Sequence, residues 1–428
     1  MPAPSPLVAA LLWAQAPSAY TSRGEVAFES RAFRDDDDAR TKDGAAGLLG
    51  RVEWRHQHAP MEEKARVYGR TDGLDQRRSI VVVEEAWIQG RAGSWRLRAG
   101  ADIVNWTATE AFHPADVINA RNLDSDLENF EKLGEPMVIA QVDLWQGATV
   151  QALYMPVYMK TVFPSAASRL SFAPPGVDLR GRRRLMDRRG RFTDDDFGHQ
   201  GALRLQQTIG SADVSVHALE QMDRLQPLVA IDLTDMQPLA IFQTVRQVGG
   251  TYQHAMTGGL LVKIEAAYRW FRNPSAPAPG LFFPVAGGVP GGNPQALPDR
   301  DHGTVALGLE YGLAHASGSE STFLAEGQAV IAKGEVMRAA LSPFQRDVLA
   351  GYRLAFNDEA SKELMLGTIW DLERAGEFLL SVSYQQRLGE TWSVRLGLRV
   401  FSALDDSVSG IGVPDGGDHL RLNLIRYF

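Results

Sequence analysis

Arginines recur in this chain at spacings of two and four: Arg51 and Arg55, Arg66 and Arg70, Arg96 and Arg98, Arg395 and Arg399. On an extended backbone successive side chains point to opposite faces, so an even spacing puts both members of a pair on one face. Arg31, Arg353 and Arg421 stand in segments of the same kind, and Glu25, Glu29 and Glu53 share the parity of the arginines beside them. A wall of guanidinium groups facing carboxylates can set a transverse field that orients polar solutes, and an arginine excess then favours anions. The plainer outcome is that such charges pair with one another and solvate the wall. Lys263, Glu265 and Arg269 form a second charged stripe, and Asp102 follows Arg98 by four residues.

Catalysis finds little support. No Gly-x-Ser-x-Gly or His-Glu-x-x-His motif occurs, and the chain has no cysteine. His56 and His58 share a strand face at i and i+2, but linear spacing shows no third ligand, so no metal or cofactor is expected. His113, His199 and His217 are scattered, and an enzyme is not expected. A formal net charge of −8 argues against a nucleic-acid partner, which would need a basic surface. The lack of thiols in 428 residues suits a compartment outside the reducing cytosol.

The elements that must carry these charges are segments of about ten to fourteen residues in which apolar and polar residues alternate, the period of a strand with two unlike faces. In SWRLRAGADIVNW, Trp95, Leu97, Ala99, Ala101 and Ile103 oppose Arg96, Arg98 and Asp102. In ETWSVRLGLRVF, Trp392, Val394, Leu396, Leu398 and Val400 oppose Arg395 and Arg399. Strands are expected at 24–33, 47–58, 63–72, 79–90, 94–105, 136–145, 148–160, 200–209 and 212–222. The second half supplies 241–254, 258–271, 303–315, 320–333, 346–357, 361–373, 377–387, 391–402 and 418–428. Alternate connections are tight (HAPME, GRAGS, WQGA, LGET), and most of the others are long. Short-long alternation and an even strand count imply an all-β fold: one transmembrane antiparallel β-barrel of about 18 strands over 20–428. Residues 1–19, with the apolar core Val8 to Trp13, read as a signal-peptide-like leader, although no Lys or Arg precedes that core.

The chain ends HLRLNLIRYF. In a closed barrel the last strand pairs with the first, and Leu420, Leu422 and Leu424 would face lipid with Phe428 at the interface. This segment resembles the C-terminal signature of bacterial outer-membrane proteins, an alternating final strand ending in Phe. The resemblance implies the outer membrane as location and recognition by the barrel-assembly machinery. Arg426 departs from it, standing where an aromatic or aliphatic residue is usual.

Residues 106–135 break the strand period. Ser125 to Leu133, between Asp124 and Gly134, reads as a short capped helix. Trp106, Phe112, Ile118 and Phe130 are too apolar for a freely solvated loop, so the segment, with Asp116, is expected to fold inward and constrict the lumen; an external lid is the alternative. Trp106 followed by EAFHPADVIN resembles a tract in a porin-like family of uncharacterised proteobacterial outer-membrane barrels, which implies a channel without an established substrate. In the long loop 161–198, Arg180, Arg182, Arg183, Arg184, Arg188, Arg189 and Arg191 would suit lipopolysaccharide phosphates or an anionic polymer, unless they are simply solvated. Asp35 to Asp38 and Asp194 to Asp196 match no calcium loop.

The expected function is therefore an outer-membrane channel passing small polar or anionic solutes. The 18 strands and basic lumen are also similar in architecture to the alginate-export porin, which implies an exit pore for an anionic polysaccharide or lipid, working with a periplasmic export partner. A plugged surface scaffold or adhesin is the third expectation.

Overall fold

The computed structural model describes residues 18–34, 42–125, 130–171, 177–275, 280–285, 293–332, 334–403 and 416–428. Most of the leader, the Asp35 to Asp38 run and much of the last long loop lie outside them.

Eighteen strands follow one another in the wall. The first six are Ser18–Phe33 (β1), Gly44–His58 (β2), Met61–Asp72 (β3), Ile80–Ala92 (β4), Trp95–Asp102 (β5) and Glu135–Trp145 (β6). Next come Ala148–Val157 (β7), Phe197–Ile209 (β8), Ala212–Met222 (β9), Gln237–Ala255 (β10), Leu260–Phe271 (β11) and His302–Ala314 (β12). The circuit ends with Glu320–Ile331 (β13), Arg346–Ala355 (β14), Glu363–Asp371 (β15), Phe378–Leu388 (β16), Trp392–Ser402 (β17) and His419–Tyr427 (β18). Each pairs antiparallel with its sequence neighbours. β18 closes on β1 with a register running from Glu25 opposite Tyr427 to Phe33 opposite His419. Closure matters because a backbone N–H or C=O left unpaired in hydrocarbon costs several kcal/mol.

Every expected strand is present, and the side-chain alternation is the reason. On β18, Leu420, Leu422 and Leu424 are exposed on the outside while His419 and Asn423 are buried inside. On β5, Trp95 and Leu97 face out while Arg96, Arg98 and Asp102 face in. Phe428 is held by two backbone hydrogen bonds with Gly24, at 2.9 and 3.0 Å. Its ring lies over Gly24, where a Cβ would come within 2.5 Å of it. Arg426 faces outward with its guanidinium over the Trp392 ring, 5.8 Å from the centroid.

One irregularity shapes the lumen. The β3–β4 register shifts between Arg66 and Val67, so Glu84 is an extra residue on β4. This bulge turns both Glu84 and Glu85 inward, where regular alternation would send one of them to lipid.

Where the expected helix over 125–133 is described at its end, Glu131 and Lys132 form a strand instead. Arg121–Asn122 and Glu131–Lys132 pair as two short antiparallel strands, and 126–129 lie outside the described residues. Local helix propensity loses there to the lumen wall, because Arg51 of β2 takes the Glu131 carboxylate at 2.9 Å. Above the rim, Arg183–Met186 and Leu228–Asp232 pair with the long end of β10, and Leu228, Leu239, Ile241 and Phe283 pack beneath them.

Candidate functional site

The lumen is where the charged faces of the strands meet. On the wall formed by β1–β4 and β18 the arginines are mostly neutralised. Arg51 binds Glu25 at 2.8 Å and Glu84 at 2.9 Å, Arg66 binds Glu84 at 2.9 Å, and Lys64 binds Glu85 at 2.7 Å. Arg31, Arg421 and Arg78 converge on Glu29 at 3.6, 3.2 and 2.9 Å. Arg98 binds Asp102 at 2.7 Å, and Arg96 binds Asp143 at 2.8 Å.

Residues 103–125 and 130–134 lie against the inner faces of the strands and reach both sides of the barrel. Trp106 and Ile118 pack on Met137, Ile139, Leu153, Met155 and Leu219, from the inner faces of β6, β7 and β9. Phe112 packs on Ala306, Ile369, Leu379 and Phe401, from β12 and β15–β17. Trp106, Phe112 and Ile118 are buried to 1, 2 and 0% exposure, so they act as anchors for the backbone between them. Phe130 is half-buried beside the short hairpin.

An irregular backbone inside a barrel needs partners for its N–H groups. Two wall carboxylates supply them. Glu265 of β11 accepts from the amides of Ala108 (2.5 Å), Thr109 (3.0 Å) and Ala115 (3.0 Å) and from the Thr109 hydroxyl (2.8 Å). Glu326 of β13 accepts from the amides of Glu110 (2.8 Å), Ala111 (3.0 Å) and Phe112 (2.7 Å). Lys263 binds Glu110 from the same wall. At the other end Asn119 closes the segment on itself, donating to the carbonyls of Asp102 (2.9 Å) and Leu133 (3.0 Å). Glu135, at the start of β6, is paired with Arg224 at 2.5 Å, and both side chains are fully buried. Asp116 holds Arg121 at 3.2 Å and Lys132 at 2.5 Å. Burial lowers the Lys132 ammonium below its ordinary range, against the pull of Asp116.

The charges expected to line a passage therefore divide. Arg31, Arg70, Asp102, Lys263, Glu265, Arg269 and Arg399 are buried, several of them under the inward segment. Arg31 donates to the Ser125 carbonyl at 2.5 Å, and Arg70 holds Asp124 at 3.3 Å. Arg51, Arg66, Arg96, Arg98 and Arg421 are half-buried; Arg55, Arg353 and Arg395 are exposed in the lumen. A cavity of about 650 Å³ runs between the segment and β5–β8, walled by Arg98, Asn105, Gln141, Gln151, Arg204 and Gln206.

Sequence reasoning passed over Glu84, Glu85, Glu135, Glu326, Arg204 and Arg224. The Glu84-Glu85 doublet was a visible break in period; the rest had no local signal, because their partners lie far away in the chain. Across the hairpin, Glu63 stands opposite His56, a third candidate ligand that linear spacing concealed. In the Arg-rich loop, Arg182 binds Asp232 at 2.9 Å and Asp235 at 2.6 Å, Arg183 binds Asp196 at 2.8 Å, and Arg180 and Arg191 bind Asp178 and Asp187. Arg184, Arg188 and Arg189 stay exposed. The Thr234 hydroxyl and amide, and then Arg182, hold the Asp232 carboxyl down to about 2.

No family model and no curated protein matches the chain. Among solved structures it is similar to Pseudomonas aeruginosa OccK5 (OpdH), at 11% identity over 96% of this chain and 97% of that one, with a TM-score of 0.52. It is also similar to Pseudomonas aeruginosa OpdO, at 12% identity over 96% of each chain, with a TM-score of 0.50. At such identity the likeness is one of fold. That fold, with the apolar outer band, makes the chain a membrane-spanning β-barrel of porin architecture.

Proposed function

We propose that the chain is an outer-membrane channel for small polar solutes with a preference for anions. The path runs between the wall and the inward segment. The observation that carries the reading is the polar cavity left beside residues 103–118, which are fastened to the wall at Glu265 and Glu326. The anion preference rests on Arg55, Arg353 and Arg395, which are exposed in the lumen. Arg353 has one carboxylate partner, Glu363, whereas Arg395 has no ion pair among the described residues. Release of an anionic polymer has less support, since four of the seven arginines in the long loop are already paired with aspartates.

Planar-bilayer recording tests this. Steady ohmic current is expected, with a reversal potential on the anion side in a KCl gradient. Arg353→Glu with Arg395→Glu should move that potential toward cations. A closed barrel both before and after replacement of 106–118 by a Gly/Ser linker would overturn the channel reading.

A further inference from the structure

We propose that His56, His58 and Glu63 form a transition-metal site on the outer face of the barrel, at its short-turn rim. It is separate from the lumen and does not depend on what passes there.

The site follows from strand pairing. In the β2–β3 register His56 is directly opposite Glu63, and such pairs have Cβ atoms about 4.5–5.5 Å apart. His58 is two residues along on the same face. The Nδ1 of His56 is 3.5 Å from a Glu63 oxygen, and the rings of His56 and His58 stack with centroids 4.5 Å apart. One ligand atom from each of the three side chains lies within 4.8 Å of the others. Donors bound to one zinc ion at 2.0–2.2 Å sit roughly 3.2–3.6 Å apart, so closure asks for a shift of about 1 Å in flexible side chains.

A second observation points to a missing ligand. The Nδ1 of His58 is buried and has no hydrogen-bond partner. A metal ion would take that lone pair; a wall built only for packing has no use for it. The frame is preorganised as well: the Tyr20 ring stacks on His56 at 3.9 Å with planes 6° apart, and Trp54 lies 5.9 Å from it. Beyond Glu63 the next strand presents Ile88. Two imidazoles and one carboxylate suit Zn²⁺, Ni²⁺ or Cu²⁺ and not Ca²⁺ or Mg²⁺, which take oxygen cages. Three protein ligands leave a fourth position for water or a solute donor.

The test is calorimetric titration of the full chain in detergent with zinc chloride, after chelator treatment and without any histidine tag. One equivalent of zinc is expected, with binding weakened at least about tenfold by His58→Ala and by Glu63→Gln. Nickel, titrated in the same way, should quench Trp54 fluorescence, and Trp54→Phe should abolish the quenching without loss of binding. Heat-modifiable gel mobility identifies which variants are folded; His58→Gln serves if the alanine variant is not. No uptake by the parent chain, or uptake unchanged in a folded His58 variant, would overturn the proposal.

Discussion

The fastening of the inward segment at Glu265 lends itself to a quantitative test. In Glu265→Gln the amide can keep its oxygen where Oε1 now accepts the Ala108 and Thr109 donors, but its NH₂ then faces the Ala115 N–H. One buried donor is orphaned, and the remaining bonds become neutral ones. An orphaned buried donor costs about 1–3 kcal/mol, and the loss of charge assistance costs about 1 kcal/mol per bond. The easier desolvation of a neutral side chain offsets part of this, leaving roughly 2–4 kcal/mol against the held state. At 1.4 kcal/mol per factor of ten, the population in which the segment has left the wall rises about 30- to 700-fold. The chain has no cysteine, so Ala111→Cys is a unique reporter at the neighbouring Glu326 clasp. Maleimide labelling of Cys-bearing barrels should accelerate by that factor when Glu265→Gln is added, and higher-conductance events should appear in single-channel records. An unchanged labelling rate in a folded, heat-modifiable barrel would show that Glu265 does not hold the segment.

Arg224→Met should lower stability by about 3–5 kcal/mol, because it leaves the fully buried Glu135 carboxylate without its partner. Adding Glu135→Leu should recover most of the loss, as read from urea-unfolding midpoints in lipid vesicles. Acid should loosen the long arginine loop. Asp232 is held at about 2, and Asp178 and Asp187 are held below the ordinary carboxylate range; for Asp187, burial raises the value but the amides of Arg191 and Arg189 outweigh it. Depressed carboxyls contribute stability above their unfolded values, and that contribution is lost as pH falls through the folded ones, here from about pH 4 to about 2. Hydrogen exchange at the Arg189 and Arg191 amides, corrected for intrinsic rate, should rise across that window; flat protection would contradict the assignment.

The wall was legible because each strand writes its two environments into alternate residues, and tight turns mark where it reverses. Trp392 to Val400 and Leu420 to Leu424 could hardly be read otherwise. The interior was far less legible. Phe112 and Ile118 signalled that 106–135 is not solvated, yet nothing near them names Glu265 or Glu326 as partners some 150 and 210 residues on. A separation of 50 and 53 residues hid Asp232 and Asp235 from Arg182, so the loop looked more cationic than it is. At Glu131 and Lys132 the expected Ser125 to Leu133 helix gives way to a short strand, because local propensity carries no knowledge of Arg51. The Glu84 bulge is invisible to parity counting, since one added residue inverts the facing of everything after it.

A segment anchored on β6–β9 through Trp106 and on β12 and β15–β17 through Phe112 also acts as a tie beam. A hollow cylinder of this girth, squeezed by the lateral pressure of the bilayer, would otherwise be free to ovalise. With an internal brace its cross-section is pinned along one diameter, so thickness or tension changes in the surrounding lipid should reach the lumen only through the unbraced arcs.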